Sequence, residues 1–174
     1  MLLDLSALSG GLAHVERRYP AASFPGEDDY TTTAEVVLRF DVHKEEARYH
    51  LVGTVETTLE LVCGRCLEPF RLPVTAGFDL RYLPHGENRG EGELEVEEDD
   101  LSTAYYRDDR IDLGDLVREQ LYLTLPMKPL CRTECRGLCS ECGANLNAAA
   151  CGCAPRWEDP RLAPLRALLD DGKD

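Results

Sequence analysis

Between residues 33 and 83, hydrophobic side chains recur at every second position. In 34–42, Ala34, Val36, Leu38, Phe40 and Val42 alternate with Thr33, Glu35, Val37, Arg39 and Asp41, the period of a strand with one covered face. Residues 43–46 predict a turn. A longer strand follows, with Tyr49, Leu51, Gly53, Val55, Thr57, Leu59 and Leu61 on one face. Arg48, His50, Thr54, Glu56, Thr58 and Glu60 fall on the other, and Val52 is the exception. Alternation resumes as Phe70, Leu72, Val74, Ala76, Phe78, Leu80 and Tyr82 against Arg71, Thr75, Asp79 and Arg81. These two runs make a long antiparallel hairpin with Cys63–Cys66 at its tip. Pro73 has no amide hydrogen to donate to a ladder, so it predicts an edge position or a bulge.

The period changes to that of a helix at Asp112. Leu113, Leu116, Val117 and Leu121 share one face, Asp112 can cap the amide of Asp115 or its neighbour, Asp115 complements the positive N-terminus, and Pro126 ends the run. A second short helix over 160–169 would carry Leu162, Leu165, Leu168 and Leu169 on one face, with Pro164 in its first turn. Residues 84–104 are turn-rich and then acidic, which predicts a solvated loop. The order of elements gives the α+β class: an antiparallel β meander or partly closed barrel with a covering helix, followed by a cysteine-rich zinc-binding tail and a short C-terminal helix. Residues 1–127 form the sheet region, and 128–174 form the tail with its docking helix packed on it. The βαβ alternation that would predict a parallel sheet is absent.

Eight cysteines fall in four close pairs: Cys63 and Cys66, Cys131 and Cys135, Cys139 and Cys142, Cys151 and Cys153. A disulfide between Cys151 and Cys153 would be badly strained. In a reducing compartment, paired cysteines hold metal or do redox work. Zinc takes four thiolates in a tetrahedron at about 2.3 Å, and tight turns deliver them two at a time. Two assignments are open. Cys139, Cys142, Cys151 and Cys153 can form one site, with Gly143 and Gly152 in its turns, leaving Cys63, Cys66, Cys131 and Cys135 for the other. Alternatively Cys131, Cys135, Cys139 and Cys142 form one site, and Cys63 with Cys66 is a redox pair. One or two structural Zn2+ ions follow, and none of His14, His43, His50 and His85 lies near the cysteines to open a catalytic position.

Charge narrows the function. With 19 Lys and Arg against 33 Asp and Glu the chain carries −14, the wrong sign for a protein that binds nucleic acid by neutralising phosphates. Two four-thiolate zinc sites would bring it to −18. Much of the acid lies in residues 87–115, where twelve acids face three bases; a basic protein partner fits that segment. The competing expectation is local contact with RNA at a patch of Arg65, Lys128, Arg132 and Arg136. No phosphate-binding loop, dinucleotide fingerprint, nucleophile elbow or zinc-protease motif is present, and no base is placed to activate Cys63, so catalysis is not expected. No apolar run is long enough to span a membrane, and the acidic start of the chain does not read as a secretory signal, so the expected location is cytoplasmic.

The motifs also carry a resemblance. Cys63-x-Arg65-Cys66-Leu67 follows a long strand, and Arg110-Ile111-Asp112-Leu113-x-x-Leu116-Val117-Arg118-Glu119 runs into Leu125-Pro126. Cys131-x3-Cys135-x-Gly137-Leu138-Cys139-x2-Cys142-Gly143-x-Asn145-Leu146-Asn147 comes next, then Asp159-Pro160-Arg161-Leu162-x-x-Leu165. Together, over about residues 35–169, they resemble the YceD family of large ribosomal RNA subunit accumulation proteins, and the tail resembles that of one branch of it. The resemblance implies a bacterial or organellar factor needed for 23S ribosomal RNA to accumulate during large-subunit biogenesis, without catalytic activity. Two other classes compete with it: a zinc- or redox-responsive cysteine switch, and a zinc-ribbon protein-interaction module.

Overall fold

The computed structural model describes residues 1–8, 11–26, 29–87 and 102–153. Eight strands and one α-helix are assigned among them: β1 (Leu2–Asp4), β2 (Leu12–Tyr19), β3 (Thr31–Thr32), β4 (Val36–Glu45), β5 (Arg48–Val62), β6 (Pro69–Pro84), β7 (Thr103–Tyr106), β8 (Arg110–Asp112) and α1 (Leu113–Thr124). One sheet runs β2-β4-β5-β6-β7, with β3 paired to β5 beyond the end of β4, and β1 pairs with β8 in a separate two-stranded ribbon.

The alternation in the sequence is realised side chain by side chain. Val36, Leu38, Phe40 and Val42 of β4 are buried on the same face as Tyr49, Leu51, Val55, Leu59 and Leu61 of β5 and Val74, Ala76, Phe78 and Tyr82 of β6. Val52, the apolar residue on the wrong face of β5, is exposed. At the middle of the sheet Gly53 lies between Phe40 and Phe78 in register, and those two rings come within 6.3 Å of each other. A Cβ at Gly53 would be 2.2 Å from the Arg39 carbonyl oxygen, so only glycine fits there.

Helix α1 covers this face, packing on β6, β5 and β1. Leu113, Leu116, Val117 and Leu121 are all buried. Asp112 caps the helix by accepting the Gly114 amide at 2.7 Å. The Met1 ammonium lies 3.4 Å from the same carboxylate, and the Met1 carbonyl accepts the Leu113 amide. The helix ends at Thr124, ahead of Pro126.

Four expectations are corrected. The barrel alternative does not form: among the described residues β2 pairs only with β4 and β7 only with β6, so the two edge strands do not meet. The turn after the first strand is not 43–46, because the β4–β5 ladder continues through His43↔His50 to Glu45↔Arg48 and leaves Glu46 and Ala47 as the loop. Glu46 there takes a positive φ of 55°. The sheet is not wholly antiparallel. Strand β7 runs parallel to the end of β6, from Arg81↔Thr103 to Pro84↔Tyr106, the long connection between them giving room for a crossover. Thr103 and Ala104 therefore belong to a strand and not to the loop expected over 84–104, and the strand ends in Tyr106, which is buried, donates its hydroxyl to the Ala47 carbonyl and meets Tyr49 edge-on at 5.5 Å. Pro73 pairs with Thr58 on one side, and among the described residues no strand pairs with its other side, because β7 reaches only Arg81–Pro84. The acidic run of residues 88–101 and the helix expected over 160–169 lie outside the described residues.

Candidate metal centres

The tip of the β5–β6 hairpin is a tight turn stapled to the tail. The Cys63 amide donates to the Glu68 carbonyl at 3.0 Å and the Leu67 amide to the Cys63 carbonyl at 2.9 Å, which holds Leu67 at a φ of 59°. The Gly64 amide reaches the Pro129 carbonyl at 2.8 Å, and the Leu138 amide reaches the Arg65 carbonyl at 3.1 Å. A Cβ at Gly137 would sit 3.0 Å from that Arg65 oxygen, and its φ of 74° also favours glycine. Arg65, assigned from sequence to a basic patch, donates its guanidinium to the carbonyls of Cys135 at 2.9 Å and Thr133 at 3.5 Å.

These bonds bring Cys63 and Cys66 to Cys131 and Cys135. The Cys63 and Cys135 sulfurs are 3.8 Å apart, as are those of Cys66 and Cys131, and all four lie within 4.8 Å of one another. Four thiolates at about 2.3 Å from one ion, at tetrahedral angles, are spaced about 3.8 Å apart. The spacing is far longer than a disulfide's, and all eight cysteines are free. Cys63, Cys66 and Cys135 are buried and Cys131 partly so. The backbone amides of Cys66 and then Cys131 bring Cys63 down to about 6, the Asn147 side-chain amide lowers Cys135, and burial pushes Cys131 up to about 12. Four sulfurs so close cannot all ionise without a cation among them.

The second cluster is built from the tail alone. The Gly143 amide donates to the Cys139 carbonyl at 2.9 Å and the Cys139 amide to the Ala144 carbonyl at 2.8 Å, closing a knuckle whose Gly143 has a φ of 71°. Cys139, Cys142, Cys151 and Cys153 then have all sulfurs within 4.8 Å of one another. The Cys142 amide, followed by that of Glu141, lowers Cys139 to about 6, whereas the neighbouring Cys142 thiol and burial push Cys153 up to about 12. Cys142 and Cys153 are exposed. The structure thus brings the eight cysteines together as two groups that can each hold a metal ion, in the first of the two assignments; Cys131 and Cys135 are not grouped with Cys139 and Cys142.

Spacing gave no sign of the part played by Asn147. Its Nδ2 donates to the Cys135 sulfur at 3.3 Å, and its Oδ1 accepts the Arg136 amide at 2.8 Å. The paired asparagines around Leu146 were its only trace in the sequence. Elsewhere, a cleft of about 530 Å³ opens where β7 and β8 meet the start of α1. Asp108, Asp112, Asp115 and Glu119 line it with Arg107 and Arg110, over the rings of Tyr82 and Tyr105.

The model of the family described as "Large ribosomal RNA subunit accumulation protein YceD" matches residues 51–169, which include all eight cysteines. The chain belongs to the YceD family. Among its relatives is the chloroplastic YCED homolog 1 of Zea mays, a large ribosomal RNA subunit accumulation protein, 28% identical over 77% of this chain and 53% of that protein. The homolog 1 of Arabidopsis thaliana is 27% identical over 82% of the chain and 51% of its own length. The chain thus spans about half the length of these plant YceD proteins. An uncharacterized protein of Mycobacterium bovis is 32% identical over 97% of the chain and 84% of its own length. No solved structure matches the chain. Among the described residues no helix is long and apolar enough to cross a membrane.

Proposed function

We propose that this YceD-family chain is a non-enzymatic factor required for large-subunit ribosomal RNA to accumulate, working in the cytoplasm, with a structural zinc ion in each cysteine cluster. The observation that carries this reading is the family match over residues 51–169, which takes in most of the β5–β6 hairpin, α1 and both clusters. Zinc suits the donor sets: four thiolates per site, no vacant position, and sulfurs close enough to frame a single ion. The partner that fits the charge is a basic ribosomal or assembly protein. A chain at −14, taken to −18 by two Zn(Cys)4 centres, repels phosphate and attracts cationic protein. The cleft beside α1 offers such a partner carboxylates over an aromatic floor.

Depletion of the protein in its source cell, with the ratio of large- to small-subunit ribosomal RNA as the readout, tests the role. The ratio is expected to fall and to recover on re-expression of the intact chain; an unchanged ratio overturns it. Elemental analysis of the reduced, purified chain tests the metal. Two zinc ions per chain support the reading, and none removes it.

A further inference from the structure

We infer that the two cysteine clusters load metal as one cooperative unit, coupled through Asn147. This rests on the reading above that both clusters hold metal. Asn147 lies in the segment between Cys142 and Cys151, two ligands of the exposed cluster, yet its side-chain amide is bonded to Cys135 of the buried one. The same side chain accepts the Arg136 amide, next to Cys135 in the chain. Three further bonds set its position. The Asn147 amide donates to Asn145 Oδ1 at 2.9 Å, the Leu146 amide donates to the Gly137 carbonyl at 2.9 Å, and the Cys139 amide donates to the Ala144 carbonyl at 2.8 Å, the last two pairing Leu138 with Asn145 as an antiparallel bridge.

The physical link is loop closure. An ion held by Cys139, Cys142, Cys151 and Cys153 pins both ends of the segment carrying Asn147 and lowers the entropy that must be lost to place its amide on Cys135. A hydrogen-bond donor to a ligand atom orients that ligand, and removing such a partner typically costs 10–100-fold in metal affinity. The coupling is reciprocal: whatever factor filling the exposed cluster adds to affinity at the buried one, filling the buried cluster adds at the exposed one. Asn147 is thus a positioning residue acting on Cys135, and the clusters are two halves of one folding unit although no cysteine is shared between them.

Cobalt(II) titration of the reduced, metal-free full chain tests this, read by the thiolate-to-cobalt absorption. Cys142→Ser with Cys153→Ser leaves only the buried cluster complete; Cys66→Ser with Cys131→Ser leaves only the exposed one. In the intact chain two equivalents are expected to bind together, with little half-loaded species in native mass spectra. Each surviving cluster in the two variants is expected to bind about 10–100-fold more weakly than in the intact chain, by the same factor in both. Asn147→Leu is expected to separate the two binding events. Asn147→Asp, which keeps the acceptor for Arg136 but loses the donor to Cys135, should do the same. Affinities at each cluster that ignore the state of the other overturn the coupling and leave the metal reading standing. No cobalt uptake at either cluster overturns both.

Discussion

Tyr82 shows how one buried side chain sets a pH limit on the fold. Burial, helped by Glu119, Asp115 and Asp112 on and before α1, pushes its hydroxyl up to about 12 from the ordinary 10. The folded chain therefore holds the phenolic proton where the unfolded chain has begun to lose it. The stability this contributes is complete below pH 10 and is lost as pH rises from 10 to 12, in total about 3 kcal/mol for a two-unit shift. Tyr82→Phe keeps the ring and removes the titration, so denaturant midpoints at pH 9 and 11 should fall less for the variant than for the parent chain. Gly53 carries a steric counterpart. With a Cβ there only 2.2 Å from a backbone oxygen and 2.4 Å from Phe40 Cβ, Gly53→Ala must displace β4. It is expected to cost about 2 kcal/mol or more in urea unfolding, against the usual gain when a strand glycine gains a side chain. Thr32 is the opposite case: its Oγ1 is buried and has no hydrogen-bond partner among the described residues. Thr32→Val removes an unsatisfied polar atom at constant shape, so the same measurement should show no loss and a gain of up to about 1 kcal/mol.

At the scale of elements, the hairpin tip is a clasp. Six contacts cross it, from Gly64, Arg65 and the pair Cys63 and Cys66, and all reach the segment from Pro129 to Leu138. Cys63→Ser is expected to lose metal from the buried cluster and, in amide hydrogen exchange, to deprotect Gly64 and Leu138 while Leu51 and Val55 stay protected. Equal deprotection of the sheet centre would mean that the clasp and the core unfold as one. How far these elements could be read from the sequence follows from burial. Strands β4, β5 and β6 were legible because each turns its apolar side chains to one covered face, which writes a period of two into the chain. Strand β2 was not, because Val15 is its one buried residue. The four-residue β7 is too short to show a period, and its parallel pairing is set by a crossover, not by a local pattern. An open or closed sheet depends on whether two distant edges meet, which no strand encodes by itself. The cysteine groups were legible from spacing and turn glycines, but the Asn147 bond to Cys135 links positions that no repeat relates.

For the whole molecule, the proposed basic partner can be tested at one place. The chain carries −14, and the cleft beside α1 gathers Asp108, Asp112, Asp115 and Glu119 at one mouth. Two of these acids have local partners: Asp112 caps α1 beside the Met1 ammonium, and Asp115 pairs with Arg118. Asp108 and Glu119 have no ion pair among the described residues, so they can be changed without dismantling the helix start. Asp108→Lys with Glu119→Lys moves the net charge by four units in the positive direction while leaving both cysteine clusters intact. If a basic protein docks at this cleft, the double variant should associate with large-subunit precursor particles at least tenfold more weakly in sedimentation at low salt, and raised salt should weaken the parent chain toward the same level. If RNA were held instead by Lys128, Arg132 and Arg136, the added lysines would strengthen association. Alanine at those three positions would then weaken it and flatten its salt dependence. The sign of the change on adding positive charge therefore decides which class of partner the acidic body receives.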